Sequence, residues 1–239
     1  MIFQDPLASL DPLQKVGDQI SETIRTHKQI GRNEAKQETE KLLTAVGISD
    51  AGIRMAQYPF QMSGGMRQRV MIALAICGNP SLIIADEPST NLDVTIQAQV
   101  LELIKSIRDK TGTSVLLITH NMGIVAWLCD RVAIMYAGQI VECGRIQDVF
   151  KNPEHPYTRD LLKAVPKAKA VKEPLNSIKG EVPDLTVLPS GCRYNPRCGY
   201  VMPICHITEP PLANSDGRLV RCLMYSTDSW KKSDAEKVA

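Results

Sequence analysis

The stretch Ser63–Asp93, SGGMRQRVMIALAICGNPSLIIADEPSTNLD, decides the fold of this 239-residue chain. It begins with a Ser-Gly-Gly turn, and hydrophobic residues then predict a helix over 66–77. The segment 81–85 predicts a buried strand, because it is apolar without polar alternation, as strands of parallel sheets are. The acidic pair Asp86 and Glu87 ends that strand. A glycine turn that opens a helix suits a phosphate, and paired carboxylates suit Mg²⁺.

The flanking segments extend this pattern into an α/β fold. Upstream, apolar residues at helical spacing predict a helix over 13–26 and a second helix that ends at Gly47. Downstream, the pattern predicts a helix over 94–108, a strand over 114–119, a helix over 121–128 and a hairpin over 132–142. After Phe150, closely spaced prolines predict a loop-rich appendage with one short helix over 157–165. Alternating strands and helices indicate a parallel sheet.

The composition limits the classes of function. Hydrophobic residues make up 44% and charged residues 23% of the chain, which is typical of a soluble globular protein. The formal net charge of +2 gives no reason to expect a nucleic acid as partner. No apolar run approaches the roughly 18 residues that a membrane-spanning helix needs. The start, MIFQDP, lacks the features of a secretory signal. Any membrane association is therefore expected to come through a partner.

Each motif of the central stretch also has an ordinary interpretation. An Asp-Glu pair at a strand end can be a solvated terminus, and a Gly-Gly turn can simply precede a core helix. The order of the motifs argues against both, because the strand that ends in the acidic pair begins sixteen residues after Gly65 of the phosphate-type turn.

Taken together, the motifs resemble the ATPase subunit of an ABC transporter. The resemblance implies an α/β fold with a P-loop NTPase-type parallel sheet core and a helical subdomain. It implies that Asp86 holds Mg²⁺ and that Glu87 activates the water that attacks ATP. The turn formed by Ser63, Gly64 and Gly65 would bind ATP phosphate.

Three further positions acquire a role from this resemblance. Gln4, in the loop MIFQDP, matches the Q-loop and would contact Mg²⁺ and the attacking water. His120 follows the strand SVLLIT, as the switch histidine of the family does, although Asn121 stands where the family has aspartate. Asp93 matches the D-loop, which joins the two sites of an ATPase dimer. Without the resemblance, Gln4 would be interpreted as a surface residue and His120 as a structural one.

Four cysteines lie close together near the end of the chain: Cys192, Cys198, Cys205 and Cys222. Four thiolates can hold either a tetrahedral Zn²⁺ ion or an iron–sulfur cluster, and the common Cys-x₂-Cys spacing of zinc fingers is not met. His206 is a weaker candidate ligand. The segment 155–158 (HPYT) and the first two cysteines resemble the C-terminal extension of the oligopeptide and dipeptide branch of ABC ATPases. That resemblance implies a [4Fe–4S] cluster on the four cysteines.

The motif Gly-x₄-Gly-Lys-Ser/Thr does not occur in the sequence, although the family places this P-loop upstream of the Q-loop. The prediction is an N-terminally truncated ABC ATPase domain at 1–155, with a helical subdomain over about 13–75 and a catalytic core over about 80–150. A loop-rich extension with the cysteine cluster follows at 156–239. The strand over 81–85 is expected to lack its neighbour and to leave backbone groups unpaired.

The leading functional prediction is an ATP-hydrolysing, energy-coupling subunit of an importer for dipeptides or oligopeptides, with ATP and Mg²⁺ as ligands. It would lie peripherally on the cytoplasmic face of the cell membrane. Its expected partners are the transmembrane subunits, a second, non-identical ATPase subunit and, indirectly, a periplasmic or lipid-anchored substrate-binding protein. Three alternatives stay open: an impaired remnant that dimerises and completes a partner's site, a nickel-importer ATPase, and a redox or metal sensor centred on the cysteines.

Overall fold

The computed structural model describes residues 1–90, 92–165, 177–215 and 217–226. The chain divides into two compact units, Met1–His120 and Asn121–Ala239. Within the described residues, no helix is both long and apolar enough to cross a membrane.

The first unit contains helices that pack around a small parallel sheet. Its helices are α1 (Pro6–Ser9), α2 (Val16–Lys28), α3 (Arg32–Ala45), α4 (Ala51–Arg54), α5 (Gly64–Ile76) and α6 (Val94–Thr111). Its strands are β1 (Leu82–Asp86) and β2 (Ser114–Ile118). The element types predicted over this region are confirmed, and their ends differ by a few residues.

The predicted helix over 13–26 begins three residues later than expected, at Val16. Leu13 is 85% exposed, and its N–H donates to the side chain of Asp11 at 2.8 Å. This local turn competes with the helix for the backbone of Leu13, as aspartate side chains often do. The helix then buries Val16, Ile20 and Ile24 along one face, as their spacing predicts.

Strand β1 is paired with β2 along one edge and bridged at a single residue on the other. Its residues pair in parallel with β2, from Leu82 opposite Ser114 to Asp86 opposite Ile118. On the other edge, the N–H of Ile2 donates to the carbonyl of Ile84 at 2.7 Å, and Ile2 accepts from Asp86 at 2.9 Å. The expectation that β1 lacks a neighbouring strand on this edge is confirmed for the described residues, because the sheet has two strands. The expectation of unpaired backbone groups was wrong at the carbonyl of Ile84 and the N–H of Asp86, which the bridge at Ile2 pairs.

The two faces of this sheet differ in burial. Ile83 and Ala85 lie in the core, whereas an open face is formed by Leu82, Leu116 and Ile118, which are 50%, 51% and 46% exposed. Parallel sheets are usually covered on both faces, and exposed apolar patches promote association.

We predict that the 239-residue chain self-associates through this open face. The substitution Leu116→Glu should lower the associated fraction severalfold in sedimentation velocity and leave the melting temperature within a few degrees of the parent. Leu117→Glu is the matched control, because Leu117 packs against the core and its charge should unfold the unit. Unchanged association of the Leu116→Glu chain would contradict the prediction.

The second unit is built on an antiparallel sheet. Its strands are β3 (Arg131–Tyr136), β4 (Gln139–Arg145), β5 (Ala213–Ser215) and β6 (Arg218–Val220), in the spatial order β3-β4-β6-β5. Its α-helices are α7 (Met122–Leu128), α8 (Ile146–Lys151), α9 (Pro156–Ala164) and α10 (Leu223–Ser226). The predicted hairpin turns at Ala137 and Gly138, whose φ angles of 45° and 78° suit a two-residue hairpin.

The cysteine-containing extension is not made of loops alone. Its strand β6 pairs with β4, with Glu142 opposite Val220 and Cys143 opposite Leu219. Sheet pairing therefore crosses the boundary predicted between 155 and 156. The division of the chain into domains stays a prediction, and residues 166–176 and 227–239 of the predicted extension lie outside the described residues.

His155 is buried at the start of α9. It is 1% exposed, and its Nδ1 accepts from the N–H of Tyr157 at 3.0 Å, which caps the helix. The pKa of His155 is lowered to about 4, chiefly by burial and to a smaller extent by the charge of Arg159. A hydrogen bond to the backbone of Arg221 opposes this change and raises the pKa in part. The imidazole is therefore neutral in the folded protein.

We predict that acid destabilises the second unit through His155. The unfolded chain binds a proton below about pH 6.5 while the folded chain does not, so the free energy of unfolding should fall by about 2 kcal/mol from there to pH 5. Urea denaturation as a function of pH measures this. His155→Asn preserves the cap without the titration and should flatten that part of the profile. A profile shared by both chains would contradict the prediction.

Candidate functional site

The Ser-Gly-Gly turn forms the N-terminus of α5. Ser63 is the N-cap residue, and its Oγ accepts from the N–H of Met66 at 3.3 Å. Gly65 lies against the start of α6: a Cβ at this position would meet Cγ2 of Ile96 at 2.7 Å. A Cβ at Gly64 would meet Leu92 at an ordinary 3.6 Å. Gly65 therefore allows two helices to approach closely, and the exposed turn presents backbone N–H groups at a helix start.

Asp93 begins α6 beside this turn. Its side chain accepts from the N–H of Ile96 at 3.0 Å and caps the helix. One turn further, the side-chain amide of Gln97 donates to Ser89 at 3.0 Å, in the loop that follows the acidic pair. The predicted residues Ser63, Gly64, Gly65 and Asp93 are thus brought together as one cluster, which we call the turn cluster.

Glu87 is held by contacts from two directions. Its Oε2 accepts from the hydroxyl of Thr90 at 2.7 Å. Its Oε1 accepts from the N–H of His120 at 3.0 Å and lies 2.6 Å from Nδ1 of the same residue. The φ angle of Glu87 is 46°, a left-handed conformation that is uncommon for glutamate and often occurs at functional sites.

These contacts determine the charge of Glu87. Burial raises the pKa of its carboxyl, but the hydrogen bonds from Thr90 and His120 outweigh burial and hold the pKa below its usual value. The carboxylate is therefore ionised at neutral pH and can accept a hydrogen bond from water. The side chain of His120 is 84% exposed, which leaves its other ring nitrogen open to a ligand.

Asp86 and Gln4 lie at the same edge of the sheet as this pair. Asp86 is the last residue of β1, opposite Ile118, the last residue of β2. Gln4 lies two residues after Ile2, and Ile2 pairs in parallel with Ala85 near the carboxyl end of β1. Ligands of open α/β sheets bind at this carboxyl edge. We call Gln4, Asp86, Glu87 and His120 the carboxylate cluster.

Two residues that hold the site were not singled out from the sequence. Thr90 contacts Glu87, and its position three residues later in the loop is the only local signal. Ile96 contacts Gly65, and its apolar character at the start of a helix did not distinguish it from other core residues. The role of Ile96 depends on a tertiary contact between α5 and α6, whereas that of Thr90 depends on the local conformation of the loop after Glu87.

The four predicted cysteines line one small cavity of about 20 Å³ in the second unit, together with Tyr194 and other residues. The N–H of Cys192 donates to the carbonyl of Cys205 at 2.8 Å. Burial first, and then the neighbouring thiols, raise the pKa of Cys222 to about 12 and that of Cys198 to about 11. In the described part of the chain, no three or more His, Cys, Asp or Glu side chains are grouped closely enough to hold a metal ion as they stand.

Comparison with known families matches two parts of this chain. Residues 1–90 match the sequence model of the ABC transporter family. Residues 141–205 match the model of the oligopeptide/dipeptide transporter C-terminal region. The first match covers Gln4, Asp86 and Glu87 of the carboxylate cluster but not His120, and the second covers three of the four cysteines.

Curated relatives align over nearly the whole chain. The oligopeptide transport ATP-binding protein AppD of Bacillus subtilis is 49% identical over 98% of this chain and 71% of its own length. The dipeptide transport ATP-binding protein DppD of Bacillus subtilis is 48% identical over 93% of this chain and 67% of its own. OppD of Salmonella typhimurium is 46% identical over 93% and 66%. The chain spans about two thirds of the length of these relatives.

Solved structures support the fold. A dimeric ATP-binding cassette bound to ADP and phosphate has a TM-score of 0.54 at 23% identity, over 61% of each chain. The cbiO1 protein of Clostridium perfringens has a TM-score of 0.55 at 25% identity, over 63% of this chain and 58% of its own. The predicted α/β fold of the P-loop NTPase type is confirmed. The chain belongs to the ABC transporter family, in the branch of oligopeptide and dipeptide ATP-binding proteins.

Proposed function

We propose that the chain is the ATP-hydrolysing, energy-coupling subunit of an ABC importer for dipeptides or oligopeptides. The observation that carries the proposal is the ionised Glu87, fixed between Thr90 and His120 beside Asp86 at the carboxyl edge of the sheet. The transport functions printed in the names of AppD, DppD and OppD give the class of solute.

The carboxylate cluster has the groups that can activate water and hold Mg²⁺ for the hydrolysis of ATP. Glu87 accepts the proton of the attacking water, and His120 keeps that carboxylate oriented while its exposed ring nitrogen faces the γ-phosphate. Asp86 fits Mg²⁺, because a carboxylate oxygen is the ligand this ion prefers. When bound, Mg²⁺ neutralises charge on the phosphates. Gln4 orients the water from the neighbouring edge.

The turn cluster serves a second nucleotide. The resemblance of Asp93 to the D-loop indicates that this cluster faces the site of a partner ATPase, which we propose to be a non-identical subunit. The complex would include transmembrane subunits, would receive peptide from a substrate-binding protein, and would place this chain on the cytoplasmic face of the membrane. The two clusters would then belong to two different composite sites.

The test is ATP hydrolysis by the complex of this chain with the partner ATPase and the transmembrane subunits in liposomes. Hydrolysis should rise severalfold with a peptide-loaded binding protein and stay unchanged with Ni²⁺. Glu87→Gln should lower it by about 100-fold or more, because the base is lost. Glu181→Gln, an exposed carboxylate, is the control. Stimulation by Ni²⁺ instead of peptide would contradict the proposed substrate.

The same assay decides between an active subunit and an impaired remnant. A remnant requires that Glu87→Gln leaves hydrolysis unchanged while Ser63→Ala lowers it, because only the turn cluster would then take part.

We also propose that the four cysteines hold a [4Fe–4S] cluster. A zinc ion binds four thiolates directly, at Zn–S distances of about 2.3 Å, so the four sulfur atoms lie close to one another. In a [4Fe–4S] cluster each thiolate binds a different iron atom, so the sulfur atoms lie further apart. What supports the proposal is that all four cysteines line one cavity, where they could bind one group together. A redox-sensing role would rest on the same site.

Anaerobically purified protein tests this site. We expect a brown chain with iron and sulfide in equal amounts, and Cys198→Ser should lose both. Cys143→Ser is the matched control, because Cys143 lies in β4 and does not line the cavity. Stoichiometric zinc without iron would contradict the cluster.

A further inference from the structure

Arg69 joins three helices of the first unit through one guanidinium group. It lies on α5, four residues after Gly65. Its Nη1 donates to the carbonyl of Val46 at 2.6 Å, and Val46 is the C-cap residue of α3. Its Nη2 donates to the side chain of Gln99 on α6 at 3.0 Å.

The surroundings of Arg69 suit an arginine in this position. The last carbonyls of a helix have no partner within the helix and favour a nearby cation. Gly47, next to Val46, has a φ angle of 80°, and a Cβ there would meet Nη1 of Arg69 at 2.6 Å. The guanidinium is a planar fork that can serve two acceptors at once, whereas a lysine ammonium is a single point charge.

The contacts of Arg69 repeat those of the turn cluster one helical turn further along. Gly65 and Arg69 are four residues apart on α5, and Ile96 and Gln99 are three apart on α6, so each pair shares a helix face. Gly65 contacts Ile96, and Arg69 bonds to Gln99. Two contacts in succession along both helices resist sliding and rotation of one helix against the other.

We propose that Arg69 is a positioning residue for ATP hydrolysis. It holds the Ser63–Gly65 turn and Asp93 in a fixed relative position, so that both can contact the partner's nucleotide at the same time. Through its bond to Val46 it also fixes this arrangement relative to the C-terminus of α3. The inference rests on the proposed function of the turn cluster. In this proposal Arg69 acts through the helices that it joins and not on the reacting atoms.

The test uses the assembled transporter complex with Arg69→Met, Gln99→Leu and the double variant in this chain. Each single variant should lower kcat for ATP about tenfold and leave KM within twofold, because the turn still binds phosphate but is held less firmly. The double variant should be no slower than Arg69→Met alone, because Gln99→Leu removes the same Arg69–Gln99 hydrogen bond that Arg69→Met already removes. Glu102→Gln on the exposed face of α6 is the control and should match the parent.

Amide hydrogen exchange of the same samples gives a readout that does not depend on activity. Arg69→Met and Gln99→Leu should speed exchange at the first turn of α6, around Ile96, and Glu102→Gln should not. A parent-like kcat with Gln99→Leu, fully additive losses in the double variant, or unchanged exchange at Ile96 would overturn the inference. If the parent complex hydrolyses no ATP, the proposed function fails, and the exchange data alone decide the role of Arg69.

Discussion

Gly65→Ala is expected to lower ATP turnover by the complex of this chain and its partner ATPase about 100-fold. The added Cβ would meet Cγ2 of Ile96 at 2.7 Å, which is closer than real contacts allow. Ile96 is fixed at the start of α6 by the N-cap bond to Asp93. The clash must therefore be relieved by moving the Ser-Gly-Gly turn away from Asp93, and displacements of about 1 Å in a catalytic site cost on the order of 100-fold in rate.

A compensating substitution separates this cause from a general loss of folding. Ile96→Ala removes the atoms that the new Cβ would meet, so the double variant Gly65→Ala, Ile96→Ala should recover most of the lost turnover. Gly31→Ala is the matched control, because a Cβ at Gly31 would meet no atom within 4 Å. If the double variant is as slow as Gly65→Ala alone, the close approach of the two helices is not the reason that this position requires glycine.

The parts of the fold that the sequence predicted well are those whose signal is local. Strand β1 and helix α5 are recognisable because a long apolar run and a glycine turn lie within one stretch. His120 was placed at the end of a strand for the same reason. Its contact with Glu87 follows from the geometry of parallel strands, whose carboxyl ends meet at one edge of a sheet.

The parts that were missed depend on pairing between distant segments. Ile2 bridges the edge of β1 from 83 residues away, and a single residue carries no periodicity. Strands β5 and β6 have three residues each, too short for alternation to be distinguished from a loop. They are stabilised as strands by the hairpin beside them, and by contacts such as that of Arg218 with residues near the start of α9.

The carboxylate cluster depends both on local sequence motifs and on contacts that form only in the folded chain. The residue types of the carboxylate cluster were predicted from motifs. The lowered pKa of Glu87 comes from hydrogen bonds with Thr90 in the following loop and with His120 at the end of the neighbouring strand, and the motifs did not predict these bonds. The loop between Glu87 and Asp93 links the two clusters, because Thr90 bonds to Glu87 and Ser89 accepts from Gln97 on α6. A change at either cluster is therefore expected to reach the other through this short loop.

Arg218→Met is expected to destabilise the second unit by about 3–5 kcal/mol, because it leaves a buried carboxylate without its counter-charge. Glu142 is fully buried, and Nη1 of Arg218 lies 3.7 Å from its Oε1. Glu142 also accepts from the N–H groups of Glu154 and His155, at 3.0 and 2.9 Å, which anchors α9 to β4. The arginine further donates to the carbonyl of Asn152 at 2.6 Å. Urea denaturation measures the loss.

Removing the unpaired charge of Glu142 tests this explanation directly. Glu142→Gln keeps the shape of the side chain and an acceptor oxygen for one of the two backbone N–H groups, and it removes the buried charge. Arg218→Met combined with Glu142→Gln should therefore be more stable than Arg218→Met alone. Arg145→Met, at an exposed arginine on the same sheet, should stay within about 0.5 kcal/mol of the parent. If the double variant is instead the less stable of the two, the loss in Arg218→Met comes from the carbonyl contacts and packing of the arginine. In that case the buried charge of Glu142 is tolerated by its backbone donors alone.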